Sequence, residues 1–243
     1  MKIINAPLSI QCLEERCKDM KTPIDCESLD NLLGGGIESG SVTSLYGEAG
    51  SGKTNICLQL ARNVVMNGKK VIFIDTEGVS FQRLEQICSG DFDRVTKGIL
   101  FFTPYSLEEQ EKNVEDAVHL AEAKEDIGLI ILDSATVHYR ATFGEENEAD
   151  GRKSLGRQVN LLLQISRKRD MPVVITTQVY TDTKTNTFEP IGGHVLMHYA
   201  KAIIKLEKFG DGGLRKAIIR KYRWRPEGIS AEFKLTGYGV ESV

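Results

Sequence analysis

Short, unbroken apolar runs alternate along this chain with segments in which apolar residues return every three or four positions. The runs "SVTSLYG" (41–47), "KKVIFIDT" (69–76), "GILFFTP" (98–104), "GLIILDS" (128–134) and "MPVVITTQV" (171–179) are strand-length. Their near-continuous hydrophobicity predicts strands covered on both faces. Between them, residues 54–68 place Ile56, Leu60, Ala61, Val64 and Val65 on one helical face, and residues 151–170 do the same with Leu155, Val159, Leu162, Leu163 and Ile165. A helix over 106–125 opens on Ser106 with Glu109 three residues later, the pattern of a capping box. An earlier short helix, about Ser28 to Leu33, is stopped by Gly34, Gly35 and Gly36. The last third changes period. "AKAIIKLEKF", "LRKAIIRKY" and "ISAEFKL" alternate apolar and polar residues and are separated by "GDGG" and "RWRPEG", which predicts antiparallel hairpins. The whole reads as α/β: a mostly parallel twisted sheet flanked by helices, ending in antiparallel strands. No internal repeat or linker divides it, so a single domain over 1–243 is expected, with the weakly patterned residues 1–25 as an N-terminal arm or cap.

Composition narrows the class only a little. At 243 residues the chain can bury a large core without disulfides or metal. No apolar run reaches membrane-spanning length, and the N-terminus lacks the shape of a signal peptide, so a cytoplasmic location is expected. The five cysteines, Cys12, Cys17, Cys26, Cys57 and Cys88, include no C-x-x-C pair and read as free thiols rather than a zinc site. Charge is uneven. The formal net is −3, yet residues 201–225 hold nine basic and two acidic side chains. A basic stretch on an acidic body can bind a polyanion locally.

The chemistry begins where the first strand ends. "GEAGSGKT", Gly47-Glu48-Ala49-Gly50-Ser51-Gly52-Lys53-Thr54, fits the phosphate-loop pattern, with a strand before it and a helix after it. Glycines let backbone N–H groups curl around phosphate oxygens, and the helix start adds the positive end of its dipole. Lys53 is expected to reach the β- and γ-phosphates and Thr54 to hold Mg²⁺. Asp133 closes the buried strand "LIILD", where a carboxylate faces the same metal ion. Two acids end another strand, Asp75 and Glu77. Glu77, further past the strand, is the candidate to orient and deprotonate an attacking water, and Asp75 reads as structural. Gln178, after "VVITT", is placed to sense a γ-phosphate and relay its presence to the following loop.

Taken together, "LDNLLGGGIESG", "GEAGSGKTN", "VIFIDTEG", "LIILDS", "VVITTQV" and "PIGGHVLMHYA" resemble the RecA-fold recombinases of the RadA type, over about residues 22–240. A recombinase core with no room for the N-terminal helical DNA-binding domain resembles the archaeal RadB branch of that family. The resemblance implies a RecA-like P-loop core that binds ATP with Mg²⁺. It assigns Gly47 to Asn55, Asp133 and Arg83 to the nucleotide site, with Arg83 near the adenine. It implies Glu77, Lys53 and Gln178 in catalysis, Thr54 and Asp133 at the metal, and His198 in linking nucleotide state to a DNA-binding loop. The family's two DNA loops fall at "TVHYRATFGEENEADGR" and "YTDTKTNTFEP", where Arg140 and Lys184 are the candidate contacts. The first adds Glu145, Glu146, Glu148 and Asp150, so neither loop is a strong phosphate-binding surface. The implied function is therefore accessory. It is DNA repair and recombination through binding of single-stranded or branched DNA, with at most weak ATPase activity, in support of the main RadA-type recombinase. A Holliday-junction nuclease is a further candidate partner, and a homo-oligomer is compatible. The alternative is a KaiC-like signalling ATPase or autokinase.

One segment stays open at this stage. "RKYRWRPEG" (220–228) is a hairpin turn whose family counterpart also ends in Pro-Glu and caps the ATP of a neighbouring protomer, with Lys221 where the family has a cation-recruiting aspartate. An ATP cap, a DNA contact through Arg223, Trp224 and Arg225, and a merely solvated turn are all consistent with it.

Overall fold

The computed structural model describes residues 21–243 apart from 147 and 183–186. Lys184, Cys12, Cys17 and most of the expected N-terminal arm therefore lie outside the described residues. A small strand pair, β1 (Lys21–Thr22) and β2 (Ile37–Glu38), brackets helix α1 (Glu27–Leu33). Strand β3 (Val42–Gly47) leads into α2 (Lys53–Met66), then β4 (Lys70–Asp75), α3 (Phe81–Cys88), α4 (Phe92–Gly98) and β5 (Ile99–Phe102). Helix α5 (Leu107–Ala123), β6 (Ile127–Asp133), α6 (Val137–Arg140), α7 (Glu148–Arg169) and β7 (Val173–Thr177) follow. A hairpin of β8 (Val179–Asp182) and β9 (Thr187–Pro190) precedes α8 (Gly193–Tyr199). The chain ends with β10 (Ala202–Lys208), β11 (Leu214–Lys221), β12 (Ser230–Thr236) and β13 (Gly239–Ser242).

The main sheet has nine strands in the order β13-β12-β11-β10-β3-β7-β6-β4-β5. Pairing is parallel from β10 to β5 and antiparallel from β10 to β13. The continuous apolar runs are explained by coverage on both faces. Along β4, Val71 and Phe73 join one core with Ile56 and Leu60 of α2, while Ile72 and Ile74 join the other with Val114 of α5 and Val159 of α7. Along β6, Leu129 and Ile131 face α2, and Ile130 and Leu132 face α5 and α7. Alternate side chains of a strand point to opposite faces, so a strand between two helical layers must be apolar throughout.

Local details depart from the sequence pattern. Ser106 Oγ accepts the Glu109 N–H at 3.1 Å, as a capping box requires, but Glu109 Oε2 takes the N–H of Tyr105 at 2.8 Å instead of that of Ser106. Helix α7 starts at Glu148, three residues before the predicted start, so Glu148 and Asp150 occupy its first turn, where the helix dipole favours carboxylates. The acidity of the expected first DNA loop belongs in part to a helix start. Helix α4 is too short to show a period, and the β8–β9 hairpin lies off the main sheet with mostly exposed positions, so neither was legible in the sequence. Among the described residues, Cys26, Cys57 and Cys88 are free and buried, and no helix is long and apolar enough to cross a membrane.

Candidate nucleotide-binding site

The parallel strands β3, β4, β6 and β7 end side by side, which brings the candidate residues to one edge of the sheet. Gly47 closes β3 against β10, and a Cβ there would lie 2.1 Å from the Leu206 carbonyl oxygen. Only glycine fits. The loop then turns into α2 at its N-cap, Gly52. Lys53 opens the helix and folds back over the loop, with Nζ donating to the carbonyls of Gly47 at 2.8 Å and Glu48 at 3.2 Å. Burial lowers the Lys53 pKa, and the Glu77 and Asp133 carboxylates oppose that shift. Ser51 Oγ is buried in the same loop without a hydrogen-bond partner.

Asp133, only 1% exposed, accepts a hydrogen bond from the Thr176 hydroxyl on β7. Burial raises its pKa, and hydrogen bonds from Thr176 and Thr54 pull the other way. Asp133 and Thr54 thus meet as two oxygen donors beside Lys53. The two acids after β4 have different surroundings. Asp75 is buried and accepts the N–H groups of Glu77, Gly78 and Val79 at 3.2, 2.9 and 2.6 Å, so it builds the turn, as expected. Glu77 stays exposed, and its Oε1 accepts the Gln178 side-chain amide at 3.0 Å. The Gln178 backbone N–H is in turn fixed by Thr136 Oγ1 at 3.0 Å.

Two side chains missed in the sequence clamp the outer limb of the loop. Arg215 Nε of β11 donates to the Gly50 carbonyl at 2.8 Å, and Lys208 of β10 pairs with the Glu48 carboxylate at 3.2 Å. They lie some 160 positions downstream, beyond any motif spacing; the parallel pairing of β10 with β3 brings Lys208 back, and the β10–β11 hairpin sets Arg215 beside it. Arg83 is also engaged. Its Nε donates to Asn55 Oδ1 at 2.5 Å, and its two Nη atoms reach the carbonyls of Thr236 at 2.7 Å and Gly237 at 3.1 Å. It ties α3 and the start of α2 to the β12–β13 turn, and burial lowers its pKa.

The DNA candidates are dispersed. Arg140 is exposed at the end of α6, and His198 is exposed on α8 with its ring edge-on to Tyr199 at 4.8 Å. The basic turn after β11 is folded against α1. Tyr222 Oη donates to the Leu33 carbonyl at 3.1 Å, Arg225 to the Asn31 carbonyl at 2.9 Å, and Arg223 pairs with Glu38 at 3.3 Å. Trp224 lies over Gly34, where a Cβ would come within 2.0 Å of the indole. Lys21 Nζ sits 4.0 Å and the Arg225 guanidinium 4.8 Å from the ring centroid. Helix α1 has no basic residue in its last turn, so these cations supply what its carbonyl end lacks. Lys221 does the same for α8, donating to the Met197 and Ala200 carbonyls. None of the three readings of this turn included this helix-capping role.

A model of the Rad51 family matches residues 15–243. The chain belongs to the Rad51 family. The DNA repair and recombination protein RadB of Methanococcoides burtonii is 50% identical over 216 residues, covering 88% of this chain and 95% of that one. RadB of Halobacterium salinarum is 35% identical over 231 residues, with 93% and 96% covered. A crystal structure of the RadB recombinase superposes with a TM-score of 0.78 at 35% identity, over 91% of this chain and 99% of that one. Likeness along nearly the full length of RadB proteins places the chain in the RadB branch of the Rad51 family, and the KaiC-like alternative is not retained.

Proposed function

We propose that this Rad51-family chain is an ATP-binding DNA repair and recombination protein. It hydrolyses ATP weakly, binds DNA, and assists or regulates a RadA-type recombinase without exchanging strands efficiently itself. The observation that carries the reading is the contact between Glu77 and Gln178 beside Lys53 and Asp133. A carboxylate that holds an uncharged amide can exchange that partner for a water when a γ-phosphate arrives, and the amide begins the segment leading into the β8–β9 hairpin. Nucleotide state and the second candidate DNA loop would then be mechanically linked.

The residues fit the ligands. The loop from Gly47 to Thr54 offers backbone N–H groups at a helix start, and the orphaned Ser51 hydroxyl gains a partner if a phosphate enters. Lys53 would exchange two carbonyls for phosphate oxygens. Thr54 and Asp133 are hard oxygen donors suited to Mg²⁺, which when bound would neutralise phosphate charge. Glu77 would orient and deprotonate the attacking water. Asn55 and Arg83 would shape the outer edge of the nucleotide site.

The accessory reading is supported by charge. Of the basic residues between 201 and 225, Lys205 and Lys208 pair with glutamates, Arg220 with Glu227, and Arg223 with Glu38. Arg215, Lys221 and Arg225 are directed to backbone carbonyls. Few cations remain to neutralise phosphates, so DNA affinity should be modest and should fall with salt. The candidate partners are single-stranded or branched DNA, the RadA-type recombinase, and a Holliday-junction nuclease. The test combines fluorescent-nucleotide titration, filter binding at stepped salt, strand exchange, and pull-down with the recombinase and the nuclease with and without ATP. Lys53→Ala should sharply weaken nucleotide binding. Unchanged affinity in that variant would remove the site assignment, and no single-strand retention at low salt with ATP and Mg²⁺ would remove the DNA reading.

A further inference from the structure

Two amide side chains lie where α5 and α7 pack together, on the side of the sheet away from α2. Gln110 of α5 and Gln158 of α7 are both 0% exposed, in a helix contact whose other buried members include Leu107, Val114, Leu155, Val159 and Leu162. Two helices can pack through apolar side chains alone, and a buried amide is costly unless it is hydrogen-bonded. Gln110 Nε2 donates to the Ala135 carbonyl at 3.2 Å and to Gln158 Oε1 at 2.8 Å. Gln158 Nε2 donates to Ser154 Oγ at 3.1 Å, and Ser154 Oγ donates to Glu111 Oε2 at 2.6 Å. Glu111 pairs in turn with Arg157 at 2.9 Å. The direction of this chain is fixed at both ends. A backbone carbonyl and an ionised carboxylate can only accept, so Gln110 must present its NH₂ to Ala135 and Ser154 its hydroxyl proton to Glu111. The Gln110 oxygen is buried without a partner among the described residues, so this amide serves through its donors.

Ala135 is where this chain meets the nucleotide site. It follows Asp133 and Ser134 at the end of β6, and its own N–H donates to the Thr176 carbonyl of β7 at 2.9 Å. The next residue, Thr136, accepts the Gln178 backbone N–H through Oγ1 at 3.0 Å, and Gln178 Nε2 reaches Glu77 at 3.0 Å. Ser134 Oγ lies 3.3 Å from Thr136 Oγ1 and backs it. Ser134, Ala135 and Thr136 are all fully buried. With its N–H tied to β7 and its carbonyl to α5, Ala135 cannot turn its peptide planes without breaking a buried hydrogen bond. The Thr136 hydroxyl that receives Gln178 is thereby held in place. A satisfied buried network of this kind rigidifies the backbone that it touches.

We propose that Gln110 is a positioning residue for the Glu77–Gln178 pair. Seated by Gln158 and Ser154, it pins the Ala135 carbonyl and so fixes the hydroxyl on which the Gln178 backbone rests. The effect on hydrolysis rests on the reading of Glu77 and Gln178 as residues of ATP turnover; the effect on geometry does not. The test uses the full chain and two variants. Gln110→Met removes the donors at nearly constant shape. Gln110→Met/Gln158→Met replaces both amides by an apolar contact, so it should unfold no lower than the single variant and carries the test if that one fails to fold. Exchange of the Gln178 backbone amide is followed by NMR, with ATP turnover and fluorescent-nucleotide titration on the same preparations. In both variants the Gln178 amide should exchange about tenfold faster and turnover should fall about tenfold, while nucleotide affinity stays at the wild-type value. Added to Gln178→Ala, the Gln110→Met change should lower turnover no further, because it acts through Gln178. Unchanged Gln178 exchange in both variants, turnover that returns with stability in the double variant, or losses that multiply with Gln178→Ala would overturn the proposal. A wild-type chain that hydrolyses no ATP removes the hydrolytic reading alone, and the exchange measurement still decides the positioning.

Discussion

Trp224 separates a structural from a DNA-contacting role for the basic turn, because the two roles fail in opposite assays. In the structure the indole covers Gly34 and has two cations over its ring. A fully enclosed tryptophan buries roughly 150–250 Å². Trp224 is 48% exposed, so about 100 Å² is covered, equivalent to about 2.5 kcal/mol at ~25 cal/mol per Å². Lys21 and Arg225 over the ring add about 0.5–1 kcal/mol each at so exposed a site. Residual burial in the unfolded chain trims the total, and Trp224→Ala should destabilise the protein by about 2–3 kcal/mol. For a chain of this size that lowers Tm by about 5–10 °C. Far-UV circular dichroism during thermal and urea unfolding measures it, with filter binding of a single strand run on the same preparations. Gly34→Ala should act in the same direction. Gly34 has φ +68, and its new Cβ would strike the indole. Both changes act on one contact, so the double variant should lose less than the sum. A Trp224→Ala variant that unfolds at the wild-type temperature yet no longer retains single strands would refute this reasoning and restore the stacking role.

Other consequences concern the nucleotide site. Glu77→Gln should lower ATP turnover at least about 100-fold while nucleotide affinity stays near wild type, measured by phosphate release and fluorescent-nucleotide titration; a parallel loss of affinity would place Glu77 in binding instead. Arg215→Ala releases the Gly50 carbonyl and should weaken nucleotide binding about tenfold, with Arg215→Lys intermediate; equal affinities would exclude the clamp. Asp133 has its pKa raised above the ordinary 3.8, chiefly by burial. The stability that its protonated form contributes is present below 3.8 and lost as pH rises through the raised value. Asp133→Asn, without nucleotide, should therefore gain stability over wild type as pH rises through that window, with the two converging in acid. Urea midpoints across pH test this, and a constant offset would rule it out.

The layers, the parallel strands and the phosphate loop follow from local sequence. An apolar run of strand length, a 3.6-residue period and a glycine loop between strand and helix are each decided within a few neighbouring residues, so they can be read in one dimension. The structural reading of Asp75 was legible for the same reason, since the distance past a strand end determines which side chain can accept the N–H groups of the turn. The placement of Glu77, Gln178 and Asp133 at one sheet edge could be anticipated from equivalent strand ends, but the Glu77–Gln178 hydrogen bond required the strand order. Tertiary structure alone decided where the basic C-terminal segment is directed. Composition counts cations without showing which carbonyls lie opposite, and Arg215, Lys221 and Arg225 are taken up by the phosphate loop, α8 and α1. Pairing between distant positions depends on register and packing across the sheet, which hydrophobic pattern specifies only as inside or outside.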